Sequence, residues 1–324
     1  MAITPINRLA IPYTSEAFPP GSTPNGSASL VVTWAEILWA ALTIGRPSVH
    51  HVLQHGPSSL HEAVFRISLV RMALDQSGPR ASRLRRSAAF KALDPTEKGA
   101  ISYFLGMAIC KVFANRLLRT PWLLHLDVYK ATIPISNLGR SRPDLFGRQI
   151  GTGNWLAFET KGRASKPSAN DLAKAKGQAQ RLISIGGASC TLHVGTFAYF
   201  LNDCLNFHWV DPPGEAKRPV TLPEPRDAWR HYYEPAQALW AAQSDSTSKA
   251  ETSIALPLPE FDITLKVHPL LEAFFARGAW EEAQRVMFEL ANEVEADGFQ
   301  PDGLKVECGP TWMGKFHGDG RAEG

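Results

Sequence analysis

The sequence predicts an α/β protein, a mixed central sheet flanked by helices, with further helical regions before and after it. Three observations carry this expectation. A strongly signalled helix start stands at Asp94-Pro95-Thr96-Glu97. Apolar stretches with strand-like alternation follow it, at 122–129 and 154–161. A helical pattern then runs from Ser168 to the glycine pair Gly186-Gly187, before two more apolar stretches near 190–200 and 205–210. The order helix, three strands, helix, two strands implies a mixed sheet with helices packed against it.

Taken in order, residues 1–29 are rich in Pro, Gly, Ser and Thr, as in Phe18-Pro19-Pro20-Gly21-Ser22-Thr23-Pro24, and predict an extended arm. Residues 30–91 predict an N-terminal helical region. Thr33 to Ile44 is a mostly buried helix opened by a Thr cap. Ser58 to Leu74 places Leu60, Val64, Ile67, Leu69 and Val70 at a helical period. The basic run Arg80 to Arg86 is read as a solvated connector.

The core is expected over residues 92–212. Asp94 caps its first helix, Pro95 takes the first helical position and Glu97 completes a capping box, predicting a helix to about Leu118. Trp122 to Tyr129 reads as a strand, with Trp122, Leu124, Leu126 and Val128 on one face and His125, Asp127 and Tyr129 on the other. The hairpin around Pro143-Asp144 and a strand from Asn154 to Lys161 follow, separated by the turn Gly151-Thr152-Gly153. Ser168 to Ile185 predicts a helix with an inner stripe of Leu172, Ala175, Ala179 and Leu182 and with Lys174 and Lys176 outside. Asp211-Pro212-Pro213-Gly214 ends the core. Residues 213–252 read as a linker with one short helix, and 253–324 as a C-terminal helical region containing helices at His268–Ala276 and Trp280–Ala296.

With 44% apolar and 20% charged residues in 324, the chain is neither disordered nor fibrous. A net charge of +3 does not mark a nucleic-acid binder, but its distribution is uneven. From Lys130 to Arg181 there are ten basic residues against three acids, the local balance a polyanionic substrate needs. The stretch after Glu251 is acidic. Cys110, Cys190, Cys204 and Cys308 form no close-pair pattern, which fits reduced thiols better than a disulfide framework. No basic-then-apolar leader follows Met1, and the run Leu30–Ile44 contains Glu36 and is too short to span a bilayer. The expectation is a cytoplasmic protein without a membrane partner.

The chemistry concentrates on three residues. On a strand, Glu159 and Lys161 share a face, with Trp155 and Ala157 behind them, while Leu156 and Phe158 turn away. Asp144 precedes them by one hairpin. Two carboxylates and an amine at one spot suit a divalent cation and a water beside a phosphate. An acid-any-Lys triplet arises by chance about once in a chain of this length. Glu215-Ala216-Lys217 is such a triplet, but it stands among Pro212, Pro213, Gly214 and Pro219, where no central strand forms. Pro301-Asp302 is a second Pro-Asp pair with no triplet after it. His51 and His55 stand four apart, with His50 and His61 nearby, yet no convincing third and fourth zinc ligand accompanies them.

Pro143-Asp144, Glu159-Thr160-Lys161 and Gln178, in this order of elements, resemble the PD-(D/E)xK nuclease superfamily, the restriction-endonuclease-like fold. The resemblance covers Asp94 to Asp211, about a third of the chain. It implies a metal-dependent nuclease in which Asp144 and Glu159 hold Mg²⁺, with Mn²⁺ as a substitute. Lys161 would serve the attacking water, and Gln178 would orient water or backbone. An aromatic residue often follows that glutamine by four positions; here it is Leu182, and Gln180 is a second candidate. Glu97 matches an extra acid of some members, although the capping box already explains it. Arg140, Arg142, Arg163 and Lys174 are the candidate contacts to nucleic acid. The resemblance favours DNA over RNA and a role in defence or repair. The alternative is a fold member without turnover that binds nucleic acid, a protein docked on the acidic C-terminal helices, or a second copy of the chain.

Overall fold

The computed structural model describes residues 8–44, 57–76, 83–129, 141–224, 232 and 254–312. Its first two strands, β1 (Leu9–Glu16) and β2 (Gly26–Val32), pair antiparallel. This corrects the expected arm: Leu9, Ile11, Leu30 and Val32 are buried, and β1 runs parallel to a strand near the far end of the core. Helix α1 (Trp34–Thr43) opens on Thr33, whose hydroxyl accepts from the Glu36 amide while the Glu36 carboxylate caps Thr33 in return. Helix α2 (Pro57–Ala73), the paired strands β3 (Leu74–Gln76) and β4 (Leu84–Arg86), and the short α3 (Ala88–Ala92) lead to α4 (Pro95–Leu118). The Asp94–Glu97 capping box is formed as the sequence predicts.

Strand β5 (Leu123–His125) is shorter than expected, because the chain turns into α5 (Leu126–Tyr129). The Leu126 amide bonds the Asp144 carbonyl and the Asp127 amide bonds the His125 ring, so both leave the ladder. Strands β6 (Leu145–Arg148) and β7 (Trp155–Arg163) form the expected hairpin. Helix α6 (Ala169–Ala179) stops two turns earlier than predicted. Leu182–Ile185 instead forms strand β8, where Ile183 and Ile185 favour extended backbone. Lys176 is another correction: it is buried and pairs with Asp211. Strands β9 (Ala188–Leu201), β10 (Cys204–Val210) and β11 (Val220–Leu222) complete an eleven-stranded mixed sheet with the order β2-β1-β10-β9-β7-β6-β5. Strands β3 and β4 attach at β10, and β8 and β11 extend beside β9.

The C-terminal region is not all helical. Strands β12 (Ile254–Leu258), β13 (Ile263–Val267) and β14 (Leu304–Cys308) form an antiparallel sheet around α7 (Pro269–Arg277), α8 (Trp280–Glu289) and α9 (Ala291–Ala296). It is tied to the core through a buried polar knot. Lys111 of α4, fully buried, donates to Thr43 Oγ1 at 2.5 Å and lies 4.4 Å from the Trp39 ring centroid. Asp302 accepts from Trp39 Nε1 at 2.9 Å and from the Tyr232 hydroxyl. Burial pushes the Lys111 ammonium down to about 7, with Asp302 opposing it, and burial pushes the Asp302 carboxyl up.

Helix α4 is long and apolar enough to cross a membrane, but most of it is buried against the sheet. Its seat there is a glycine contact. A Cβ on Gly162 of β7 would lie 1.6 Å from the Ser102 carbonyl oxygen of α4, and one on Gly106 would lie 2.9 Å from the Gly162 nitrogen. Gly162→Ala is therefore expected to destabilise the protein by about 1–3 kcal/mol or more. Gly99→Ala, which meets nothing within 4 Å, is expected to gain about 0.5–1 kcal/mol from helix propensity. Denaturant midpoints read both changes, and equal shifts would refute the close-approach argument.

Candidate functional site

Strand β7 is the centre of the site. It lies between β6 and β9, antiparallel to the first and parallel to the second. The register pairs Glu159 with Gly195 and Lys161 with Phe197. Register partners in a parallel pair point to the same face, and helix α6 covers that face. A Cβ on Gly195 would lie 3.0 Å from the Lys176 nitrogen and 3.1 Å from the Ala175 Cβ, and Ala175 packs with Phe197 and Tyr199. Thr160 and Gly162 alternate to the other face, under α4.

Glu159 is 1% exposed, and its Oε1 accepts from the Lys161 ammonium. Its Oε2 is buried without a hydrogen-bond partner. Burial pushes the Glu159 carboxyl up to about 8; the charge of Asp144 adds to the rise, and Lys161 opposes it. Asp144 stands just before β6, part-buried. Its Oδ2 accepts from the Thr160 amide at 2.9 Å and from Thr160 Oγ1 at 3.1 Å. The middle residue of the acid-x-lysine triplet therefore holds the aspartate at the strand. Asp144, Glu159 and Lys161 are brought together.

Gln178 is half-buried on α6, one turn beyond the Ala175 contact that sits level with Glu159. The Arg163–Asp171 ion pair, 2.6 Å, fixes the other end of that helix against β7. Gln180 is buried beyond the helix end. Glu97 is exposed and spent on the cap of α4. Of the basic candidates, Arg163 is held by Asp171 over the Phe197 ring, Lys174 is exposed on α6, and Arg142 is engaged by Asp127, Nε to Oδ1 2.9 Å. Arg140 lies outside the described residues, as do His50, His51, His55 and the side chain of His61.

Two neighbours escaped the sequence reading as a pair. The Tyr103 hydroxyl of α4 lies 3.1 Å from His125 Nε2. Burial pushes the Tyr103 phenol up, and so do the charges of Asp144, Glu159 and Asp127. Burial holds His125 below the usual imidazole value, with Asp144 and Asp127 opposing. Alternation had placed His125 on the face of Asp127, but nothing in the sequence joins either to Tyr103. Thr160 carried a signal: a polar residue at the centre of an apolar strand, directed to the core.

Among the described residues no group of three or more His, Cys, Asp or Glu side chains is placed to cage a metal ion. The site offers two carboxylates, the number Mg²⁺ commonly takes alongside water and phosphate oxygens. Comparison with family models, with curated proteins and with solved structures finds no match.

A folded-state value of about 8 for Glu159, against an ordinary 4.5, gives this group a defined pH signature. Between those values the folded chain holds more protons than the unfolded one. The contribution is complete below the ordinary value and is lost as pH rises through the folded one. Thermal melts of the wild type are therefore expected to fall relative to Glu159→Gln between about pH 5 and about pH 8. Parallel curves would contradict the burial of an ionisable carboxyl here.

Proposed function

We propose that the chain is a metal-dependent nuclease, with the restriction-endonuclease-like fold of the PD-(D/E)xK superfamily at its core. The observation that carries this reading is Glu159 Oε2, a buried carboxylate oxygen without a partner beside a second carboxylate. Burying such a group is unfavourable unless something neutralises it. Lys161 neutralises only one of the two acids and contacts only one oxygen of Glu159. A divalent cation fits this donor set, with Asp144 and Glu159 as its protein ligands. Bound there, Mg²⁺ or Mn²⁺ would stabilise charge on the phosphoryl oxygens and acidify a water.

The chain's own residues supply the rest of the proposal. Thr160 orients Asp144 through two hydrogen bonds. Lys161, 35% exposed and anchored by Glu159, can reach a non-bridging phosphate oxygen or the attacking water. Gln178, level with this pair, would orient that water or the substrate backbone. Arg163 and Lys174 lie along β7 and α6 where the nucleic-acid backbone would run, and Arg142 would act through Asp127. DNA is the substrate favoured by the resemblance of the motif residues.

The test is cleavage of DNA and of RNA by the purified chain in Mg²⁺ or Mn²⁺, with and without EDTA. Cleavage is expected only with metal. Asp144→Asn, Glu159→Gln and Lys161→Ala are each expected to lower it by about 10²-fold or more. Glu215→Ala, the same triplet in a proline-rich loop, should match the parent. Binding without any cleavage by the wild type would instead support a fold member that only binds nucleic acid.

A further inference from the structure

Across β7 from Glu159 and Lys161, α4 brings a second polar couple to the carboxylates. Ser102 touches Gly162, so the neighbouring Tyr103 is placed at the strand that carries the site. Its phenol responds to the charges of both Asp144 and Glu159. The hydrogen bonds around His125 define how that phenol points its proton. The Asp127 amide donates to His125 Nδ1 at 3.2 Å, which makes Nδ1 the acceptor and assigns the ring proton to Nε2. Nε2–H then donates to the Tyr103 oxygen at 3.1 Å, leaving the phenolic O–H free to donate elsewhere. Asp127 is itself fixed by Arg142, two residues before Asp144, so the couple and the aspartate are joined through one short segment.

We propose that Tyr103, oriented by His125, donates the proton taken by the leaving oxygen of the scissile phosphodiester. This rests on the hydrolytic reading of the Asp144–Glu159 pair. In-line displacement needs the entering and departing oxygens on opposite sides of phosphorus. Glu159 and Lys161 stand on the α6 face of β7, and Tyr103 arrives from the α4 face. In the step, a bond from the water oxygen to phosphorus forms as the bond from phosphorus to the leaving oxygen breaks. The leaving oxygen takes the Tyr103 proton, and the tyrosinate is held by Nε2–H of His125. The proton lost by the attacking water passes to solvent, and solvent restores Tyr103 after release, so the net change is hydrolysis alone. Tyr103 is then a catalytic residue and His125 a positioning one.

The experiment compares the wild type, Tyr103→Phe and His125→Gln in Mn²⁺ on two DNA substrates. One is unmodified; the other carries sulfur in place of the leaving oxygen at the mapped cleavage position, and a departing thiolate needs no proton. Tyr103→Phe is expected to lose about 10²-fold or more on the oxygen substrate and to fall within a few-fold of wild type on the sulfur one. His125→Gln should show a smaller loss with the same dependence on the leaving atom. Both variants should keep the wild-type melting temperature, its rise with Mn²⁺, and wild-type binding of a labelled oligonucleotide in EDTA. Equal losses on both substrates, or no loss on either, would overturn the proposal and leave the hydrolytic reading standing. A wild type that cleaves neither substrate would overturn both.

Discussion

Everything around the site answers to one constraint: a carboxylate, Glu159, is buried at the middle of a central strand beside a second carboxylate. Water cannot solvate it, so its charge must be met by other groups or given up. Lys161 meets part of it through one oxygen. Thr160 takes Asp144 with an amide and a hydroxyl, holding the second acid at the strand edge rather than letting it swing to solvent. What remains is an unpartnered oxygen and a carboxyl pushed up to about 8. A purely structural strand would place an apolar side chain there, as this one does at Phe158 and Ala157.

The fold keeps the pair in place from both faces. Helix α4 seats on Gly162 through Gly106, close enough that neither position admits a side chain without a shift, and α6 seats on Gly195, the register partner of Glu159. These small residues bring two helix backbones against the sheet at the level of the acids, and so deliver Tyr103 from one face and Gln178 from the other. Farther out, the Lys111–Asp302 knot binds α1, α4 and the C-terminal sheet into the same core. Breaking one member of that knot would leave the other charged and buried, which is costlier than the pair is stabilising.

Local rules carried the elements whose signals are local. Asp94, Pro95 and Glu97 form the cap they spell, Thr33 and Glu36 do likewise, and the two-residue period of β7 places Glu159 and Lys161 side by side. Non-local pairing was not legible. The Pro- and Gly-rich start of the chain looks like an arm, yet Leu9 and Ile11 alternate inward because β1 finds a parallel partner in β10, which no short-range pattern announces. Leu182 continues the helical stripe of α6 by spacing, but the chain becomes β8 because β9 and β11 flank it there. Lys176 reads as a surface lysine until Asp211 folds back beneath it. Tyr103 was hidden for the same reason: its partner and its charged neighbours come from β5, β6 and β7.

The most direct test of the central claim is a crystal structure of the wild type grown with Mn²⁺, read by anomalous scattering. A single strong peak between the carboxylates of Asp144 and Glu159, absent from Asp144→Asn crystals, is the expected result. A structure saturated with Mn²⁺ in which these two side chains hold no ion, with Glu159 still paired only to Lys161, would contradict the account.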